Sequence, residues 1–219
     1  VKSRGLGDVY KRQEYDNASG VYNVKSNFQG PFSLHSVLSR ALKVKEGNLR
    51  LISFENSGGS FGIKQAIMPM IILTCLASRL SNKQVVWVED RMEHLTAASS
   101  ATGRLTKIKA SIDDQGTIHA LDYDQIDDVG AYPRAPEPAS LYRMHGNLSG
   151  AYKVKNIRCR NRVILTNKTP SGLNRGFGGP QHYFALERLV HQIAVELKLN
   201  VLDVIKINLL EKNQFPYKS

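Results

Sequence analysis

The chain is poor in cysteine, has one tryptophan and contains no long apolar run, and each shortage removes a class of explanation. Its 2 cysteines, Cys75 and Cys159, lie far apart, one in an apolar stretch and one among arginines, which leaves neither a disulfide framework nor a CxxC metal site. A Cys/His cluster at ligand spacing is also missing, which argues against most metalloenzymes that hold their metal with side chains. The most apolar run, Ala66 to Ala77, is bounded by Arg79 and Lys83 and falls short of membrane-spanning length, so it reads as a buried helix. With no secretory signal pattern, a cytoplasmic protein is expected. Internal repeats and low-complexity tracts are absent.

What the chain has in excess is positive charge: 30 Lys and Arg against 19 Asp and Glu, for a formal net charge of +11. Basic chains gather phosphates by counterion release, so a nucleic-acid-binding module is one reading. The cations are spread along the chain and alternate with carboxylates, as in Val88-Glu89-Asp90-Arg91-Met92-Glu93, and no nucleic-acid-binding motif accompanies them. A solvated surface explains the charge as well, and no nucleic-acid partner is expected. The length of 219 residues and the 42% hydrophobic content suit one or two globular cores.

Periodicity gives a coarse α+β reading. Val21 to Phe28 alternates like a strand, and Pro31 opens a helix in which Leu34, Val37, Leu38, Ala41 and Leu42 recur at helical spacing. Asn48 to Phe54 reads as a strand, Lys64 to Leu80 as a helix that Pro69 should kink, and Gln84 to Val88 as another strand. Asp90 to His94 reads as a solvated turn or short helix, with no role for His94. Arg104 to Ile112 and Thr117 to Ile126, joined by Asp113-Asp114-Gln115-Gly116, make the clearest hairpin. Asp127 to Gly150 is a long loop, and Ala151 to Arg158 and Arg162 to Asn167 read as two strands. Beyond them Phe184, Leu186, Leu189, Val190, Ile193, Ala194 and Leu197 form a helical core stripe, and Asn200 should cap a last helix through Leu210.

Two glycine-rich loops stand out, each carrying a Phe and each leading into a helix. The first is Gly58-Gly59-Ser60-Phe61-Gly62-Ile63-Lys64-Gln65 and the second Asn174-Arg175-Gly176-Phe177-Gly178-Gly179-Pro180-Gln181. Glycine lets a backbone approach a ligand closely, Pro180 sits where a helix can begin, and a helix N-terminus turns N–H groups toward anions and polar cofactor groups. One such loop is ordinarily a connection with a buried Phe; two in one domain point to a site.

From about Gln29 to Leu210, the pair resembles the large, molybdopterin-binding subunit of the molybdenum hydroxylases, the xanthine dehydrogenase and aldehyde oxidase family, whose loops read GGGFGGK and RGFGGPQ. The resemblance implies that family's first molybdopterin-binding domain, with mixed sheets and packed helices, over residues 14–219. It implies molybdenum held by the dithiolene of its pterin with no protein ligand, so no metal-ligating residue is assigned. The reaction would hydroxylate an aldehyde or N-heteroaromatic substrate with water-derived oxygen, and electrons would leave through 2Fe-2S and FAD partner domains or subunits.

By the same resemblance, Gln29 would hold an oxo group of the molybdenum centre, a job an amide does without adding charge. Gly59, Phe61 and Gly62 would lie along the cofactor, and Arg175 would serve both cofactor binding and catalysis. Phe177 would pack on a flat substrate ring, Arg143 would bind its carbonyl or developing negative charge, and Gln65 would face the substrate. Purine-oxidising members have a glutamate after the loop lysine, whereas Gln65 follows Lys64, so a substrate unlike xanthine is expected. The branch that oxidises carbon monoxide places a copper-holding cysteine in the loop matching Ser171 to Arg175, where this chain has no thiol, so carbon monoxide is not expected either. The general base and the downstream cofactor domain are expected outside this chain, which alone should be inactive. Residues 1–13 are expected to be a non-native leader. A non-catalytic scaffold of the same ancestry is the remaining alternative.

Overall fold

In the computed structural model, which describes residues 10–55, 57–134 and 143–217, the chain forms two units, each a mixed sheet with helices packed on one face. The α+β expectation is met. The first unit takes residues up to Ser100 together with Gly172–Arg175, and the second takes Ala101–Ser171 and Gly176 onward.

The first unit runs β1 (Tyr10–Asp16), β2 (Val21–Ser26), α1 (Pro31–Leu42), β3 (Leu49–Ser53), α2 (Met68–Ser81), β4 (Val85–Val88) and α3 (Arg91–Ala97). Its sheet has the order β3-β2-β1-β4, with β2 and β3 parallel and β1 antiparallel to both its neighbours. Tyr22 and Val24 point inward against Leu34, Leu38 and Leu42 of α1 and Ile71 and Cys75 of α2, and that apolar stack is the core. Burial pushes the Cys75 thiol up to about 12, so it is an inert packing residue. Pro69 lies in the first turn of α2, preceded by a 3-10 turn at Ile63–Gln65, so it starts the helix and does not kink it as expected. Asp90 and Glu93 close a capping box on α3, whose sequence had left turn and helix open.

Residues 10–13, set aside with the leader in the sequence reading, form the first half of β1 near the middle of this sheet. Gln13 pairs with Val24 and is fully buried, yet neither its amide oxygen nor its nitrogen has a hydrogen-bond partner among the described residues. Lys11, also buried, lies 4.2 Å from the centre of the Trp87 ring.

The second unit contains β5 (Gly103–Ile112), β6 (Ile118–Asp128), β7 (Asn156–Ile164), α4 (Gly179–Leu197) and α5 (Val201–Asn208). The hairpin is as expected: the Asp113 carboxylate accepts from Gln115 N and Thr117 N at 3.0 and 2.8 Å and shapes the turn. The two strands expected after the long loop are instead one, β7, parallel to β6. Its Arg-rich run stays extended because alternate residues face out beside carboxylates. Arg158 forks onto Asp122 at 2.8 and 2.5 Å, and Arg162 donates to Asp124 at 2.6 Å. On the opposite face Leu121 and Tyr123 meet Leu186, Val190, Ile193 and Ala194 of α4 and Val204 of α5. Phe184, expected in that stripe, is 75% exposed. Asn200 caps α5 through Leu202 N at 2.8 Å, and buried Asn208 ties its end to the hairpin, accepting from Ile118 N and donating to Gly116 O. Among the described residues no helix is long and apolar enough to cross a membrane.

Candidate active site

The first glycine loop is fixed by polar side chains that fold back on it. Buried Lys64 donates to the Gly58 carbonyl at 2.8 Å and reaches Ser57 Oγ at 3.4 Å, so the loop closes on its own lysine. Burial holds the Lys64 ammonium below its ordinary pKa. Gly62 N donates to Ser60 Oγ at 3.1 Å, and the Ser60 hydroxyl donates to Oε1 of Gln29, which precedes Gly30, the N-cap of α1. Gln29 is half-buried, and its Nε2 makes no hydrogen bond among the described residues.

Gly62 is a glycine for a second reason. At φ +114° it packs so closely on the chain at Leu173 that an added Cβ would lie 2.5 Å from the Leu173 carbonyl oxygen. Leu173 is in turn held by Gly172, whose N–H donates to Ser100 O at 3.0 Å. This contact brings the start of the second loop to the first, and the Arg175 guanidinium lies 5.8 Å from the Phe61 ring centre. Within one unit, then, Gln29, Gly59, Phe61, Gly62 and Arg175 come together around Ser60. Arg175 and Phe61 are exposed, and Arg175 forms no ion pair among the described residues.

Gln65 ends the 3-10 turn after this loop, half-buried, with its N–H on Gly62 O at 3.1 Å and its side-chain amide unengaged among the described residues. The other substrate-side residues belong to the second unit. Phe177 is half-buried and followed by Gly178, which precedes α4, with Pro180 in the first turn of that helix. Gly179 N donates to Gly176 O at 2.8 Å and Gln181 Nε2 to Thr102 O at 2.9 Å, which fixes the loop on the helix start. Arg143 opens a 3-10 turn, Arg143–Asn147, and its side chain lies outside the described residues. Both loop phenylalanines have left-handed backbones, φ +52° at Phe61 and +47° at Phe177, which a bulky residue adopts at a cost.

Ser60, Lys64 and Leu173 were not singled out in the sequence. Ser60 left a signal as a serine where the related GGGFGGK loop has glycine, and Lys64 as that loop's lysine; Leu173 left none. His94 pairs with Glu89 at 2.9 Å beside α3 and stays without a role. A separate shelf of about 650 Å³ on the outer face of the second sheet, lined by Lys109, Asp122, Lys155 and Arg158 among others, contains none of the predicted site residues. It is a solvated charged face. Among the described residues no three or more of His, Cys, Asp and Glu converge as a metal cage.

The first-unit group suits a bulky anionic cofactor that brings its own metal ligands. Among the described residues it offers an uncommitted amide donor on Gln29, a guanidinium on Arg175 without an ion pair, and a backbone at Gly58 and Gly59 where an added Cβ would meet nothing within 4 Å.

Comparison with known proteins points the same way. A family profile described as molybdopterin cofactor-binding domain matches residues 12–209. The 6-hydroxypseudooxynicotine dehydrogenase complex subunit gamma of Paenarthrobacter nicotinovorans is 30% identical over 181 residues, covering 83% of this chain and 23% of that protein. The carbon monoxide dehydrogenase large chain of Hydrogenophaga pseudoflava is 27% identical over 209 residues, covering 93% of this chain and 26% of its own length. Quinoline 2-oxidoreductase from Pseudomonas putida 86 superposes with a TM-score of 0.89 at 26% identity, over 95% of this chain and 27% of that one. The chain thus spans about a quarter of the length of these relatives.

Proposed function

The chain belongs to the molybdopterin cofactor-binding domain family of the molybdenum hydroxylases, and from that premise we propose that it is part of a catalytic subunit that hydroxylates an N-heteroaromatic or aldehyde substrate. The observation that carries this reading is the grouping of Gln29, the 58–65 loop and Arg175 in one unit, with the Gln29 amide nitrogen making no hydrogen bond among the described residues. When bound, the molybdenum cofactor supplies the redox chemistry and the water-derived oxygen.

The chain's own residues bind and orient. Gln29 would offer its Nε2 N–H groups to the bound cofactor's metal end, and Arg175 together with the open backbone at Gly59 and the Phe61–Gly62 segment would hold the cofactor. Phe177 offers an aromatic face for a flat ring, and Arg143 stabilises charge that grows on the substrate in the transition state. Electrons then pass to 2Fe-2S and FAD partners, and the whole assembly works in the cytoplasm.

A heteroaromatic substrate is supported by two similar proteins whose names specify 6-hydroxypseudooxynicotine and quinoline. Gln65 argues against a purine, because its amide carries no charge and cannot make the charge-assisted bonds of a carboxylate. Carbon monoxide is disfavoured despite the 27% identity to a carbon monoxide dehydrogenase chain, since Ser171 to Arg175 offers no thiol to hold copper.

The test assays the complete enzyme with N-heteroaromatic acids, aromatic aldehydes, xanthine and hypoxanthine. A heteroaromatic acid or aldehyde should give the highest kcat/KM, and Gln65→Glu should raise purine turnover. A purine as best substrate, or a Gln65→Glu enzyme with unchanged purine turnover, overturns the substrate reading.

A further inference from the structure

Ser60 stands where the related loop has its third glycine, and among the described residues its hydroxyl is the one group that hydrogen-bonds the glycine loop to Gln29. The geometry points to Ser60 as a positioning residue that decides which end of the Gln29 amide faces the cofactor side. This rests on the reading of Gln29 given above.

An amide is nearly symmetric in shape, so a glutamine held by nothing presents its carbonyl or its NH₂ group with similar ease. The wrong end would set a lone pair against an electron-rich oxygen. Ser60 biases the choice. Its oxygen already accepts from Gly62 N at 3.1 Å, which leaves the hydroxyl proton to be given away, and the atom it meets is Oε1 of Gln29. In the flipped amide, NH₂ could still donate to the second lone pair of the hydroxyl, but the hydroxyl proton would lose its acceptor, which favours the orientation with Oε1 on Ser60. The chain from Gly62 N–H through the Ser60 hydroxyl to the Gln29 carbonyl also polarises the amide and strengthens its free N–H groups as donors. A glycine at position 60 does neither.

The experiment uses the complete, molybdenum-loaded enzyme and compares Ser60→Ala, Ser60→Gly, Ser60→Thr, Gln29→Ala and the Ser60→Ala/Gln29→Ala double variant. Ser60→Gly is the residue of the related loops and guards against a folding artefact. Ser60→Ala and Ser60→Gly should each lower kcat about tenfold, the worth of one oriented hydrogen bond, with KM and molybdenum content unchanged. Ser60→Thr, which keeps the hydroxyl, should restore most of it. The electron paramagnetic resonance spectrum of the reduced molybdenum centre should change in the same sense in Ser60→Ala and Gln29→Ala, and the double variant should be no slower than Gln29→Ala alone.

If Gln29→Ala loses turnover and alters the spectrum while Ser60→Ala does neither, the role of Ser60 falls and that of Gln29 stands. Additive losses in the double variant overturn the proposal too. A silent Gln29→Ala overturns the reading of Gln29, and the proposal with it.

Discussion

The two glycine loops use one backbone device and anchor it on different groups. Each places a Phe at positive φ, followed by a left-handed glycine and then a helical turn. The 58–65 loop is held by side chains, Lys64 on Gly58 O and Ser60 between Gly62 and Gln29. The 174–181 loop is held by backbone, through Gly179 N on Gly176 O and the first turn of α4, with the Gln181 amide on Thr102 O as its one side-chain anchor among the described residues. Behind it, the segment from Thr166 to Ser171 is clamped by the Asp128 carboxylate, which accepts from Thr166 Oγ1 and Lys168 Nζ at 2.6 Å each. The same presentation of an aromatic ring can therefore rest on different residues, and the two loops should fail under different insults.

The largest difference is expected from glycine. Gly62→Ala sets a Cβ 2.5 Å from a backbone oxygen at φ +114° and should destabilise the full-length protein by roughly 2–5 kcal/mol in urea unfolding. Gly176→Ala, at φ +99°, meets the Pro180 ring at 2.6 Å and should cost less, roughly 1–3 kcal/mol. Equal losses would erase the distinction between the loops.

Next comes the lysine lock. Lys64→Met leaves the Gly58 carbonyl to solvent, and a loss of about 1 kcal/mol is expected. Hydrogen exchange should speed up over residues 57–62 and stay unchanged over 174–181; faster exchange in both loops would show a shared anchor.

The smallest effect separates the loops by pH. The Asp128 carboxyl is held down to about 2, chiefly by the Lys168 ammonium, then by the Thr166 hydroxyl and Gly130 N–H. Because the folded pKa lies below the ordinary 3.8, its stabilising contribution is complete above that value and is lost as pH falls from about 4 toward 2. Acid should loosen residues 165–171 in the wild type over that window, while Asp128→Asn should show the loosening already at neutral pH and lack the acid step. The anchors of the first loop include no carboxylate. An unchanged acid step in Asp128→Asn would remove Asp128 from the clamp.

How much of this could be read from the chain follows from how local each cause is. The β5–β6 hairpin was legible because Asp113 and Gly116 write their own turn, and α5 because Asn200 caps it within two residues. The glycine loops were legible as composition. Strand β7 read as two pieces because its Arg and Asn residues have low strand preference, and the carboxylates that keep them extended lie 36 and 38 residues earlier on β6. The role of Gly62 was hidden for the same reason, since its close neighbour is Leu173. Residues 10–13 were missed because polar side chains such as Gln13 are not what a buried strand carries, and among the described residues that amide has no partner. At the site, the related loops pointed to Gln29, Phe61 and Arg175, but the serine that binds Gln29 could be seen only once the two were adjacent.

The most direct test of the account is the origin of the oxygen in the product. The complete enzyme, with its molybdenum content measured, should turn over a heteroaromatic acid or aldehyde in ¹⁸O-labelled water without dioxygen, using an artificial electron acceptor. The account predicts stoichiometric molybdenum and a product carrying solvent oxygen. A metal-free enzyme that remains active, or a product whose oxygen comes from dioxygen, would contradict it.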